Sequence, residues 1–154
     1  MRTVERTHRR LGDRRGLDRS LSRAAARRRL TLIVDTSAIL AIAFAEPGGD
    51  EAQRLSRGGF IGMANFVEVV TRGQEKGYSR ESALAILSVL RIEAVPVDRA
   101  TADQALPLWR NRRRSLSLGD RLCIGLARTR GLAVLTGERR WKELDLGVDV
   151  VLFR

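Results

Sequence analysis

The stretch that most constrains this chain runs from Leu30 to Leu40: Leu-Thr-Leu-Ile-Val-Asp-Thr-Ser-Ala-Ile-Leu. Four of its first five residues are apolar, and the run then meets Asp35, Thr36 and Ser37 before apolar character resumes. A short continuous apolar run reads as a strand covered on both faces, the habit of parallel sheets. Asp35 then lies at the strand's carboxyl end, where open α/β sheets keep their ligand crevice. Thr36 or Ser37 can cap a helix over 38–45. Asp35 has a plain alternative role as a capping residue itself.

The remaining segments repeat that alternation. Glu46-Pro47-Gly48-Gly49 is a turn, Asp50 is a plausible N-cap for a helix over 51–57, and Gly58-Gly59 ends it. Residues 60–63 read as a second strand. In the helix that follows, Met63, Phe66, Val67 and Val70 recur at helical spacing and predict an inward face, with Glu68 near its edge. Gly77 ends that helix, and Ser79 caps another over 80–91 whose Ala83, Leu84, Ile86, Leu87 and Leu90 supply core, or in part a dimer surface. Residues 94–97 form a strand that Pro96 assigns to an edge or a strand end. Asp98 caps a helix from Arg99 to about Arg110. Ser117-x-x-Asp120 fits a capping box opening the next helix, with Leu122, Ile124, Leu126 and Ala127 as core contacts and Gly131 as its end. Strands over 132–135 and 148–153 complete the series. The first of these ends in Thr136-Gly137-Glu138, again an apolar run followed by a hydroxyl and a carboxylate. The expected architecture is a three-layer α/β/α fold with a mostly parallel central sheet of four to five strands.

Composition narrows the chemistry. The 154 residues suit one domain. Cys123 is the single cysteine and His8 the single histidine. An internal disulfide, a cysteine zinc site and histidine catalysis in the body are therefore excluded, and a reducing cytoplasm is expected. No apolar run approaches the roughly 18 residues of a membrane span. The net charge of +11 points to an anionic partner such as nucleic acid. Residues 1–29 hold eleven arginines against Glu5, Asp13 and Asp18, a net of +8, whereas residues 30–154 hold eighteen basic and fifteen acidic residues. The leader has too few large apolar residues for a core and reads as disordered, or as helical on contact. It is either a basic arm or an over-extended start to a domain that begins near Leu30. In the body, Arg110, Arg112, Arg113 and Arg114 are the densest basic cluster. They form either a solvated loop or a contact to a phosphate backbone.

Asp35 and Glu138 each follow a buried strand, Asp120 opens a helix, and Glu68 lies in a helix that follows a strand. Each has a bland explanation alone. Together they can form a carboxylate cluster at the carboxyl edge of the sheet, and such a cluster needs a cation to offset its repulsion. Oxygen donors without His or Cys suit Mg²⁺ or Mn²⁺, which can activate water and hold a phosphodiester for in-line attack.

Four motifs in this order carry a family resemblance: Val34-Asp35-Thr36-Ser37-Ala38, the glutamate of Asn65-Phe66-Val67-Glu68, Leu116-Ser117-Leu118-Gly119-Asp120, and Leu135-Thr136-Gly137-Glu138-Arg139-Arg140-Trp141. The sequence resembles the PIN-domain ribonucleases, and most of all the VapC-type toxins of bacterial toxin–antitoxin pairs. The resemblance spans residues 31–154 and excludes the leader. It implies a PIN-like fold over 30–154 and Mg²⁺- or Mn²⁺-dependent endoribonuclease activity leaving a 5′-phosphate and a 3′-hydroxyl. It also implies a homodimer, and a cognate antitoxin that silences the site by inserting a cation among the acids. By position, Asp35, Glu68 and Asp120 match the family's metal-binding acids, and Thr36 or Ser37 matches its hydroxyl. Ser117 and Thr136 are further supporting hydroxyls, and Arg112, Arg113 and Arg114 are candidate RNA contacts. Glu138 departs from the pattern, because the family usually has aspartate there. The extra methylene adds about an ångström of reach, so Glu138 can complete a metal site or leave it weak.

Two other classes stay open on the residues. A degenerate PIN module would bind RNA or an antitoxin without cleaving. An aspartyl phosphatase would use Asp35 as nucleophile, but Ser37 stands where such enzymes carry a second aspartate, and Lys76 and Lys142 are poorly placed to assist.

Overall fold

The computed structural model describes residues 30–110 and 116–154, and the architecture below is that of Thr31–Arg154. The expectations for residues 1–29 and for Arg112, Arg113 and Arg114 lie outside the described residues.

Five short strands are joined by six helices: β1 (Ile33–Val34), α1 (Thr36–Ala43), α2 (Gly49–Ser56), β2 (Phe60–Gly62), α3 (Met63–Glu75), α4 (Arg80–Leu90), β3 (Glu93–Val95), α5 (Arg99–Ala105), α6 (Leu118–Arg130), β4 (Val134–Thr136) and β5 (Val150–Leu152). Two 3-10 turns, Leu106–Arg110 and Arg139–Glu143, follow α5 and β4. All four strand pairings are parallel and the order is β3-β2-β1-β4-β5. The chain therefore builds outward from β1 through β2 to β3, then returns to place β4 on the other side of β1. That reversal opens a crevice at the carboxyl ends of β1 and β4, where open α/β sheets bind ligands.

Alternation along the strands divides the core. Leu32, Val34 and Leu135 face one cluster, with Ala38 and Ile39 of α1, Phe66 and Val69 of α3, and Ala83 and Leu87 of α4. Ile33 and Val134 face the other, with Ile124, Leu126 and Ala127 of α6, Leu108 and Trp141. Successive side chains of a strand point to opposite faces, so both faces of β1 are dry and the expected apolar run follows directly. Among the described residues, no helix is long and apolar enough to cross a membrane.

Several element ends differ from expectation, each for a physical reason. Of the caps the sequence left open for α1, the structure has Asp35, whose side chain accepts from the Ser37 N–H, so Thr36 and Ser37 already lie inside the helix. Gly48, in the left-handed region at φ +84°, precedes α2, so Asp50 falls in its first turn. The helix from Arg99 stops at Ala105 and tightens into a 3-10 turn at Pro107, because proline cannot supply an interior helical N–H. The inward face of α3 is rotated from the expected one: Asn65, Phe66, Val69 and Gly73 are buried, whereas Met63 and Val67 are exposed. Leu84 on α4 is likewise exposed. The caps at Ser79, Asp98, Ser117 and Gly131 stand where the sequence put them.

Candidate active site

Asp35 terminates β1 and is 4% exposed. Three side chains hold it. Ser37 Oγ donates to Oδ2 at 2.7 Å, Thr136 Oγ1 donates to the same oxygen at 2.9 Å, and Asn65 Nδ2 reaches Oδ1 at 3.5 Å. Burial pushes the Asp35 carboxyl up to about 6, against the lowering effect of the Ser37 and Thr136 hydrogen bonds, and repulsion from Asp120 adds to the rise. The two hydroxyls are locked in turn. Ser37 Oγ accepts from the Gly137 N–H at 3.0 Å, and Thr136 Oγ1 accepts from the Glu138 N–H at 3.1 Å. The segment after β4 is thereby tied to the end of β1.

Glu68 sits one and a half turns into α3. Its Oε2 accepts from Thr36 Oγ1 at 2.9 Å, and Thr36 Oγ1 accepts from Asn65 Nδ2 at 3.2 Å. Asn65 thus links Asp35 to the hydroxyl that holds Glu68. The other oxygen of Glu68, Oε1, accepts from Arg72 Nε at 3.0 Å. Asp120 is the third residue of α6 in a complete capping box: its Oδ2 accepts the Ser117 N–H at 2.8 Å and its own N–H donates to Ser117 Oγ at 3.1 Å. Burial raises the Asp120 carboxyl, the Ser117 bonds oppose the rise, and repulsion from Glu68 and Glu138 adds to it. Gly119 lets the start of α6 approach α3. A Cβ there would lie 3.1 Å from Glu68 Oε2, closer than most such contacts. Glu138 is more exposed than Glu68 or Asp35, and its Oε2 lies 3.6 Å from an Arg140 guanidinium nitrogen.

All four acids line one cleft of about 280 Å³, together with Thr36, Ser37, Ser117, Leu40, Leu116, Arg72, Arg140, Trp141 and Leu144. Thr136 lies just beneath, fully buried. Asn65, Arg72 and Arg140 were not among the sequence candidates. Arg72 follows Glu68 by four residues, the spacing of a helical ion pair, and was legible in principle. Asn65 gave no local signal of its role, since its partners are some thirty residues away.

The donors facing the cleft are oxygens, with no His or Cys among them, a set that suits a hard divalent cation. The repulsion of Asp35 by Asp120, and of Asp120 by Glu68 and Glu138, points the same way. Among the described residues, no group of three or more His, Cys, Asp or Glu side chains is gathered tightly enough to hold a metal ion as it stands. The donor chemistry fits such an ion, and the spacing is more open than a closed site.

Comparison with known proteins agrees with the fold. Among solved structures, the chain is similar to a DNA-bound VapBC from Salmonella typhimurium, with 23% identity and a TM-score of 0.61 over 81% of this chain and 99% of that one. It is similar to a toxin–antitoxin complex from Klebsiella pneumoniae, with 13% identity and a TM-score of 0.65 over 80% and 98%. It is also similar to VapBC-5 from Mycobacterium tuberculosis, with 24% identity and a TM-score of 0.55 over 80% and 98%. These likenesses show a shared fold. A comparison with curated proteins gives no match. The sequence model of the PIN domain matches residues 32–146, three of the four acids' elements in full and Glu138 besides, and the chain therefore belongs to the PIN domain family.

Proposed function

We propose that this protein is a divalent-metal-dependent endoribonuclease acting as the toxin of a type II toxin–antitoxin pair, in the manner of a VapC. One observation carries the reading: a buried aspartate at the end of β1 shares a single cleft with Glu68, Asp120 and Glu138 at the sheet's reversal point. The solved neighbours that are toxin–antitoxin complexes support an antitoxin as partner. The same reading includes a cytoplasmic homodimer, RNA as substrate and an antitoxin cation as the silencing device.

In this reading Asp35, Glu68, Asp120 and Glu138 hold Mg²⁺ or Mn²⁺. When bound, the ion supplies Lewis acidity toward water and toward a phosphate oxygen. Everything else falls to the chain. Ser37 and Thr136 fix the oxygen of Asp35 that they share, and Asn65 holds the other. Ser117 fixes one oxygen of Asp120 and leaves the carboxylate facing the cleft. Thr36 steers Glu68. The reaction joins a water oxygen to phosphorus and breaks the P–O3′ bond, with the 3′ oxygen taking up a proton. The products are a 5′-phosphate and a 3′-hydroxyl.

A second reading has its own observation. Glu138 is half-exposed and turned toward Arg140, and the acids are not closed around a point. A degenerate module that binds RNA or an antitoxin would show this too. Purified, antitoxin-free protein incubated with total RNA in Mg²⁺, Mn²⁺ and EDTA, beside Asp120→Asn, separates the two. Cleavage that needs metal and disappears in the variant supports the nuclease. Intact RNA that is nonetheless bound supports the module.

A further inference from the structure

Two of the four acids in the cleft carry an arginine of their own. Arg72 meets Glu68 at 3.0 Å and Arg140 lies 3.6 Å from Glu138, and both arginines line the cleft itself. Among the described residues they are its only basic lining side chains. Both arginine side chains remain more than half exposed, so neither is buried as a structural strut. Exposed pairs of this kind contribute little to stability, so the fold gives small reason for them.

Charge decides what they can do. Four carboxylates alone would present −4 to an incoming phosphodiester, and the two arginines halve that. A single divalent cation then brings the cleft near neutrality. A carboxylate that engages a cation also has less to offer its guanidinium, and a guanidinium on a flexible stem beside a phosphate path binds phosphate readily through two parallel N–H donors. Arg72 reaches in from α3 and Arg140 from the 3-10 turn after β4, so the pair approaches the acids from different elements.

Resting on the ribonuclease reading, we infer that Arg72 and Arg140 are the phosphate contacts of the RNA at this site, held in reserve by Glu68 and Glu138 until those acids take up a cation. They act within the cleft, and they are distinct from the Arg112–Arg114 cluster of the sequence.

Fluorescence anisotropy with a labelled single-stranded RNA oligonucleotide tests this in the full-length protein, in Mg²⁺ and in an Asp120→Asn background so that binding is read without turnover. Arg72→Ala and Arg140→Ala should each weaken binding about tenfold, the loss of one charge-assisted phosphate contact. Each should also reduce the slope of log affinity against log salt by about 0.7. Arg72→Lys and Arg140→Lys should recover the slope but only part of the affinity, because lysine keeps the charge and loses the paired donors. Arg80→Ala, an exposed charge on α4 outside the cleft lining, sets the effect of a charge lost elsewhere. Cleft variants that match Arg80→Ala in both affinity and slope overturn the inference alone. Unsubstituted protein that neither binds nor cleaves RNA in Mg²⁺ at any salt concentration overturns the ribonuclease reading, and this inference with it.

Discussion

The floor and the rim of the cleft are built on opposite plans. On the floor, Asp35 is buried, takes hydrogen bonds from Ser37, Thr136 and Asn65, and has its carboxyl pushed up to about 6 by burial. On the rim, Glu68 and Glu138 are partly exposed and meet arginines. The floor is fixed by backbone, since its hydroxyls are locked by the Gly137 and Glu138 N–H groups. The rim leans on exposed arginines that solvent can replace, although the buried Thr36 hydroxyl anchors one oxygen of Glu68. The floor thus sets where chemistry occurs, and the rim is free to adjust to what arrives. In the proposed nuclease, that division would let a site with open spacing bind a cation without a prefolded cage.

The largest expected effect lies on the floor. Asp35→Asn should reduce metal-dependent RNA cleavage at least about 10³-fold, since a donor to the ion and its charge are both lost. The same variant should be more stable than its parent in EDTA at pH 7, because it relieves a buried charge. A carboxyl held about two units high costs roughly 3 kcal/mol when ionised. Loss of activity with a rise in melting temperature fits the floor as described, whereas loss of both would make Asp35 a structural residue.

Next come the hydroxyls that hold that floor. Ser37→Ala and Thr136→Val should each lower activity and Mn²⁺ affinity by about 10–100-fold, the usual effect of removing a group that orients a metal ligand. Titration calorimetry reads the affinity without turnover. Thr36→Val, which releases a rim acid, should cost less than either. The reverse order would break the contrast between floor and rim.

A pH titration in EDTA sharpens the same point. The folded Asp35 carboxyl stands above its ordinary 3.8, so between roughly pH 4 and 6 the folded protein binds more protons than the unfolded chain. Stability should therefore fall as pH rises through that window and level off above it. The Asp120 carboxyl, also raised, acts in the same direction. Asp35→Asn should flatten most of the slope, and chemical denaturation at a series of pH values would show whether it does.

What could be read from the sequence follows how local each signal is. The α6 capping box needs only Ser117 and Asp120, three residues apart, and its sequence form and its geometry agree. The apolar run before Asp35 declares a strand covered on both faces, because Leu32 and Val34 pack one way and Ile33 the other. The face of α3 departs from its apolar periodicity because periodicity counts only apolar residues. Asn65 is drawn inward by Asp35 and Thr36, distant in sequence, and turns Met63 and Val67 out to solvent. The cap of α1 went to Asp35 because one carboxylate can accept the Ser37 N–H and still face the cleft. The dense arginine cluster stands out in the sequence, unlike Arg72 and Arg140. These are unremarkable in sequence and acquire a role only beside Glu68 and Glu138.

The smallest expected effect is Glu138→Asp, which restores the residue usual in the family. The backbone at 138 is pinned through its N–H to Thr136 Oγ1, so the substitution shortens the side chain without moving its root. Its present partner is Arg140 at 3.6 Å, a contact between exposed groups worth about 0.2–1 kcal/mol. If the rim adjusts as its exposure indicates, aspartate and glutamate both reach a bound ion, and cleavage should change within about fivefold. Melting temperature should stay put. A rise well beyond fivefold would mean that the rim is as rigid as the floor and that glutamate had held the site short of closure. Complete inactivity of the parent, with activity gained only in Glu138→Asp, would make the degenerate module the right reading and Glu138 its cause.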